Sequence, residues 1–147
     1  MPHTHERLIA IVGPTASGKS DLAIALARKY DGEIISADSR QVYRGMDIGT
    51  GKVPRDPLPA NFFYSEGIRH HLIDIADPDK EYNISHFLRD ARASIDDIRS
   101  RGKLPIICGG THFWIQALLE DTDLPAVPPD PTLRQQLAAR TPEELFL

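Results

Sequence analysis

An α/β fold built on a parallel, doubly wound sheet flanked by helices is what this sequence predicts, on three observations. Short apolar runs alternate with amphipathic stretches: Leu8–Val12, Glu33–Ala37, His71–Ile75 and Pro105–Cys108 read as four strands, and helical spacing follows three of them. The stretch Gly13-Pro14-Thr15-Ala16-Ser17-Gly18-Lys19-Ser20 fits the phosphate-binding pattern G-x-x-x-x-G-K-[ST] at every fixed position, between a strand and a helix. Asp38-Ser39 and Gly109-Gly110-Thr111 fall just after strands, at the edge where open α/β sheets bind ligands.

Taken in order, Leu8–Val12 is unbroken and apolar, as a buried parallel strand is, and the helix after the glycine loop carries Leu22, Leu26 and Tyr30 on one face. Gly32 ends that helix and the second strand runs to Ala37. From Arg40 to Arg69 the chain is rich in glycine, proline and charge; it reads as an ordered functional loop, densest at Arg44–Lys52, and then a less regular one over Val53–Gly67. The third strand stops at Asp77-Pro78. Ser85 is a suitable N-cap for a helix with the stripe Leu88, Ala91, Ile95 and Ile98, ended by Gly102. The fourth strand runs into Gly109-Gly110-Thr111, and a helix follows from His112 to about Glu120. Beyond Leu124, Pro125, Pro128, Pro129 and Pro131 make a stiff connection, and Asp130-Pro131 starts a helix edged by Leu133 and Leu137. Thr141-Pro142-Glu143-Glu144 is a capping box with only Leu145-Phe146-Leu147 after it, the pattern expected of a chain cut from something longer.

With 147 residues, 41% of them hydrophobic, the chain can bury one core. A net charge of −4 argues against nonspecific nucleic-acid binding. Cys108 is the only cysteine, which excludes a disulfide framework and suits a reducing cytoplasm. No apolar run approaches the roughly 18 residues that cross a bilayer, and Met1–Arg7 has no signal-peptide core, so a soluble intracellular protein is expected.

In the glycine loop, backbone N–H groups and the positive helix end surround a phosphate, Lys19 adds a point charge and the Ser20 hydroxyl suits Mg²⁺. Asp38 fits two roles equally: holding Mg²⁺ through water, or acting as general base on a nucleophile that attacks a phosphorylated or diphosphorylated substrate. Thr111 on spacing alone satisfies the glycine turn. The six histidines show no metal-ligand spacing and no zinc is expected; His70 and His71 would face opposite sides of a strand. Phe113 and Trp114 are read as core. Arg40, Arg44, Lys52, Arg55 and Arg69 make the central loop basic, and beside a phosphate loop they point to an anionic partner.

Read from its residues, the chain is a P-loop enzyme acting on a phosphorylated substrate. Gly13–Ser20, then Ile35-Ser36-Ala37-Asp38-Ser39-Arg40-Gln41-Val42-Tyr43-Arg44-Gly45-Met46-Asp47-Ile48-Gly49-Thr50, then His70-His71-Leu72-Ile73-Asp74 and Gly109-Gly110-Thr111 closely resemble the tRNA dimethylallyltransferase family, in the family's order. The resemblance implies a P-loop NTPase-like core over 1–123 and the beginning of a helical tRNA-binding insertion over 124–147. It also implies transfer of a dimethylallyl group from dimethylallyl diphosphate to N6 of the adenine 3′ of a tRNA anticodon, with Mg²⁺ as cofactor, in a cytoplasmic monomer. Asp38 resembles the family's general base; Asp38, Ser39, Arg40 and Gln41 resemble the segment that holds the target base. Thr111 resembles a tRNA contact at the reaction centre and Arg134 a further one. Trp114 departs from the family's tyrosine. Members are longer, so a later arginine-containing tRNA motif, most of the insertion and the last sheet strand are expected beyond this chain. Two rivals remain: a small-molecule kinase binding ATP·Mg²⁺ at Lys19 and Ser20, and an inactive fragment that only binds phosphates.

Overall fold

The computed structural model describes residues 7–57, 61–122 and 129–146. The elements are β1 (Ile9–Val12), α1 (Lys19–Tyr30), β2 (Gly32–Ser36), β3 (Phe63–Ser65), β4 (Ile68–His71), α2 (Ile84–Ser100), β5 (Leu104–Gly109), α3 (His112–Leu119), α4 (Pro131–Ala138) and α5 (Pro142–Leu145). They form a five-stranded sheet in the order β1-β5-β2-β4-β3, parallel except for the β3–β4 hairpin. Inserting β5 between β1 and β2 puts the ends of those three strands side by side, which is what assembles a site.

Both faces of the sheet are covered. On one, Ala23, Ile24 and Ala27 of α1 meet Ile11, Ile34, Ile106 and Cys108; on the other, α2 and α3 close over Ile35 and Ile107 with Phe87, Leu88, Ala91, Ile95, Ile98 and Trp114. The stripe expected for α2 is therefore the buried one. That expected for α1 is not, since Leu22 and Tyr30 are exposed and the small Ala23 and Ala27 let the helix lie close on the strands. Nor is β1 a buried strand: among the described residues it pairs only with β5, so Ala10 and Val12 are exposed.

The third strand lies earlier than His71–Ile75. Glu66 and Gly67 take the left-handed conformation at φ 52° and 76°, the tight turn that joins antiparallel strands, and Asp56 braces it by accepting the Glu66 and Gly67 N–H groups at 3.0 and 2.8 Å. The resulting hairpin carries β4 over Ile68–His71. Leu72 and Asp74, at φ 64° and 56°, then turn the chain out of the ladder, so the apolar residues there are buried in a bend. The N-cap of α2 is Asn83 rather than Ser85. Its Oδ1 accepts the Ser85 and His86 N–H groups at 3.0 and 3.3 Å while His86 Nδ1 accepts the Asn83 N–H, a reciprocal closure that a cap at Ser85 would forgo. Phe113, read as core, is 64% exposed; Trp114 takes the inward position, stacked on Phe87 at 4.7 Å. Asp130 and Thr141 cap α4 and α5 as expected, and neither helix has a buried residue. Among the described residues no helix is long and apolar enough to cross a membrane.

Away from the strand ends, Glu33 is buried and held by the Arg101 guanidinium at 2.7 Å and by His71 Nε2 at 2.7 Å, with Asp97 on the same Arg101 at 2.7 Å. Glu33, His71 and Asp97 offer ligand atoms within 4.8 Å of one another, but the guanidinium already bonds both carboxylates and supplies the charge a metal would bring. Burial pushes the Glu33 carboxyl up, yet the Arg101 and His71 hydrogen bonds outweigh it and hold it at about 2. Burial pulls His71 below its ordinary value of 6.5 against its bond to Glu33, and burial pulls His70 down too. All three groups bind fewer protons folded than unfolded, so stability rises with pH. The histidine contribution is complete above pH 6.5 and is lost below it; that of Glu33 is complete above 4.5 and is lost toward about 2. Thermal melts should therefore show a midpoint falling steadily from pH 7 to pH 3. In His71→Gln the part of the fall that begins below pH 6.5 should shrink, and an unchanged profile would show that this network does not set acid sensitivity.

Candidate active site

The loop after β1 is built to receive an anion. Ala16 and Gly18 adopt left-handed φ values of 61° and 80°, curling the chain so that successive amides turn toward one side. Gly18 is the N-cap of α1 and, among the described residues, no side chain caps the first turn, so its N–H groups and the helix dipole remain available to a ligand. Ser17 Oγ donates to the Pro14 carbonyl at 2.8 Å, and the Lys19 ammonium donates to that same carbonyl and lies 3.4 Å from Ser17 Oγ.

Strands β2 and β5 bring the second and third groups. The Ala37 N–H donates to the Cys108 carbonyl at 2.9 Å and the Thr111 N–H to the Ala37 carbonyl at 3.2 Å, so the two strand ends are laced together. Thr111 Oγ1 accepts the Ser39 N–H at 3.1 Å and does not cap α3, leaving its own hydroxyl proton as a donor. Asp38 is half-buried, and its Oδ1 accepts the Arg40 N–H at 2.9 Å, which fixes the carboxylate in a turn. Gln41 accepts from Ser36 Oγ at 2.9 Å and donates to the Thr50 and Gly51 carbonyls at 3.2 and 3.1 Å, tying the end of β2 to the segment Gly49–Gly51.

These parts enclose one cavity of about 500 Å³. Its walls are Thr15–Ser20, Asp38–Gln41, Gly49–Gly51 and Gly109–Thr111, with Ile34, Ser36, His70 and Cys108 from the strands and Val53 and Ile73 from the segments between them. Lys19, Ser20, Asp38, Ser39, Arg40, Gln41 and Thr111 are thus brought together; within the glycine loop, Gly13 and Pro14 stand behind the lining residues. Arg134 is not brought in: it sits on α4, exposed, outside the cavity. Ile34 and Ser36 were not singled out as site residues in the sequence, although Ser36 lies two residues before Asp38, and Cys108, read there as the single cysteine, immediately precedes Gly109. Burial keeps the His70 imidazole below its ordinary pKa, so it is neutral at pH 7 and adds no charge to that wall.

The central basic segment is largely spent inside the molecule rather than offered to an anion. Lys52 has a side chain only 5% exposed and donates to the Tyr43 carbonyl at 2.7 Å, Asp74 at 2.6 Å and Asp47 at 3.0 Å. Arg44 pairs with Asp77 at 2.7 Å, Arg55 lies over Phe63, and Arg69 stacks on Phe62 at 3.8 Å. Of that set, Arg40 is the exposed one that lines the cavity.

Comparison with known proteins agrees with this geometry. A family model described as IPP transferase matches residues 41–146, and one described as isopentenyl transferase matches residues 6–62. The chain is 47% identical over 137 residues to a tRNA dimethylallyltransferase of Thermomicrobium roseum, covering 93% of this chain and 40% of that one. It is 52% identical over 130 residues to a tRNA dimethylallyltransferase of an Exiguobacterium species, covering 88% and 40%. Among solved structures, a full-length tRNA isopentenylpyrophosphate transferase from Bacillus halodurans superimposes with a TM-score of 0.73 at 42% identity, over 91% of this chain and 42% of that one. A eukaryotic dimethylallyltransferase acting on tRNA gives 0.75 at 34% identity, over 95% and 34%. The chain spans about two fifths of the length of the curated relatives it matches. With the family match running over most of its residues and the P-loop, the Asp38 turn and the Gly109–Thr111 turn on one cavity, the chain belongs to the IPP transferase family.

Proposed function

We propose that this chain carries the donor site and reaction centre of an enzyme that moves a dimethylallyl group from dimethylallyl diphosphate to N6 of the adenine 3′ of a tRNA anticodon. The observation that carries this reading is the shared cavity: a phosphate loop and a fixed carboxylate open into the same space, where an anionic leaving group departs as an amine arrives. Residues 1–123 are then the catalytic core and 124–147 the beginning of a helical insertion with Arg134 as an RNA contact, supported by an α4 that buries nothing. No membrane is involved, and the setting is cytoplasmic.

The exocyclic amine of adenine is a poor nucleophile because its lone pair is delocalised into the ring. Asp38 accepts the N6 proton as the new N–C bond forms, while the bond from the allylic carbon to the diphosphate oxygen breaks. The P-loop amides and Lys19 stabilise the negative charge that gathers on the diphosphate. His70, neutral in the wall, does not oppose the positive charge that develops on the allylic carbon. Asp38–Gln41 and Thr111 hold the base at the amine end. The Ser20 hydroxyl is an oxygen donor on this cavity, the chemistry Mg²⁺ takes, so it would hold the ion there. When bound, the ion supplies further neutralising charge to the leaving diphosphate.

Purified chain incubated with an anticodon stem-loop RNA and radiolabelled dimethylallyl diphosphate should incorporate label at the target adenine. The donor should be displaced by inorganic diphosphate more readily than by ATP. Preference for ATP with phosphoryl transfer would make the chain a kinase, and no incorporation at any chain concentration would reduce it to a phosphate binder.

A further inference from the structure

Ile48 is 99% exposed at the tip of the loop whose next three residues, Gly49–Gly51, form part of the cavity wall. The loop around it is braced from several sides. Thr50 Oγ1 donates to the Met46 carbonyl at 2.7 Å, Gln41 holds the Thr50 and Gly51 carbonyls, and the buried Lys52 ammonium bonds Asp47, Asp74 and the Tyr43 carbonyl. Gly45 and Gly49, at φ 71° and 75°, set the turns on either side of the tip. A loop held this way does not fold its isoleucine inward, although an apolar side chain this large is ordinarily withdrawn from water. The side chain is also absent from the cavity lining, so a donor inside the cavity does not cover it.

The geometry points to Ile48 as a wedge for RNA. Resting on the function proposed above, the target adenine must leave its stack to enter the cavity, and an apolar side chain inserted between bases is a general device for holding a stack open. Ile48 immediately precedes Gly49, which lines that cavity, and Arg40 lines the same cavity and is exposed to meet phosphate. When the anticodon loop docks, Ile48 occupies the gap the adenine leaves and slows its return.

The test uses an anticodon stem-loop RNA with fluorescent 2-aminopurine in place of the target adenine, titrated with the full chain in the presence of diphosphate. Unstacking should raise the fluorescence with the wild-type chain. Ile48→Ala, with an unchanged melting midpoint because the side chain touches nothing, should cut that rise by about fivefold at saturating chain, and Ile48→Met should restore most of it. A full rise with Ile48→Ala, or wild-type binding with no rise, overturns the wedge and leaves the proposed function standing. A wild-type chain that does not bind the RNA removes both.

Discussion

Asp38→Ala should lower prenyl transfer by about 10²–10⁴-fold, or about 3–5 kcal/mol of barrier, while the affinity for dimethylallyl diphosphate changes by less than about threefold. The reason is a division of labour within the cavity. On the proposed reading the diphosphate meets the loop Thr15–Ser20, which no hydrogen bond from Asp38 braces, whereas the carboxylate is held on the turn after β2, in another part of the cavity lining. Alanine also removes the acceptor for the Arg40 N–H, so Asp38→Asn is the sharper variant: its side-chain oxygen keeps that bond and it cannot take a proton. Equal losses in the two variants, in single-turnover assays with saturating donor, assign the loss to proton transfer. Unchanged turnover in Asp38→Asn would withdraw the base assignment.

Gly109→Ala should be the most damaging conservative change in the sheet. A Cβ there would lie 2.1 Å from the Ala37 carbonyl oxygen and 2.4 Å from its carbon, both backbone atoms of the neighbouring strand end. No side chain can swing aside to make room, so the end of β2 must shift, and Asp38 with it. We expect a loss of about 3 kcal/mol, seen as a melting midpoint lower by roughly 10 °C. Gly110→Ala is the control, because its Cβ would meet nothing closer than the Gly13 carbonyl oxygen at 4.0 Å. Equal midpoints for the two variants would show that the close approach at Gly109 is not a constraint on the fold.

Much of the fold was legible because its signals are local. Strands β1, β2 and β5 are short apolar runs beside turn residues, and the stripe of α2 repeats at helical spacing over about three turns. The glycine loop and the two strand-end motifs could be assigned to one edge because parallel strands with helical crossovers all end on the same side. What could not be read is what depends on partners far along the chain. The hairpin at Glu66-Gly67 is pinned by Asp56, and Leu72-Ile73 looks like a strand until positive φ values remove it from the ladder. Lys52 reads as a loop cation; only the approach of Asp74 shows that its ammonium is a buried strut. Phe113 and Trp114 are adjacent aromatics whose fates are decided by Phe87, which stacks on Trp114 alone.

The placement of β1 has a mechanical consequence. Its register with β5, Ile9 with Ile106 through Val12 with Gly109, is the one ladder among the described residues from which the phosphate loop hangs. The cradle is therefore sprung on one side: any tremor of that ladder is felt directly by the amides that must converge on an incoming anion. The firmness of that loop rests on the β1–β5 seam at one end and on the packing of α1 at the other.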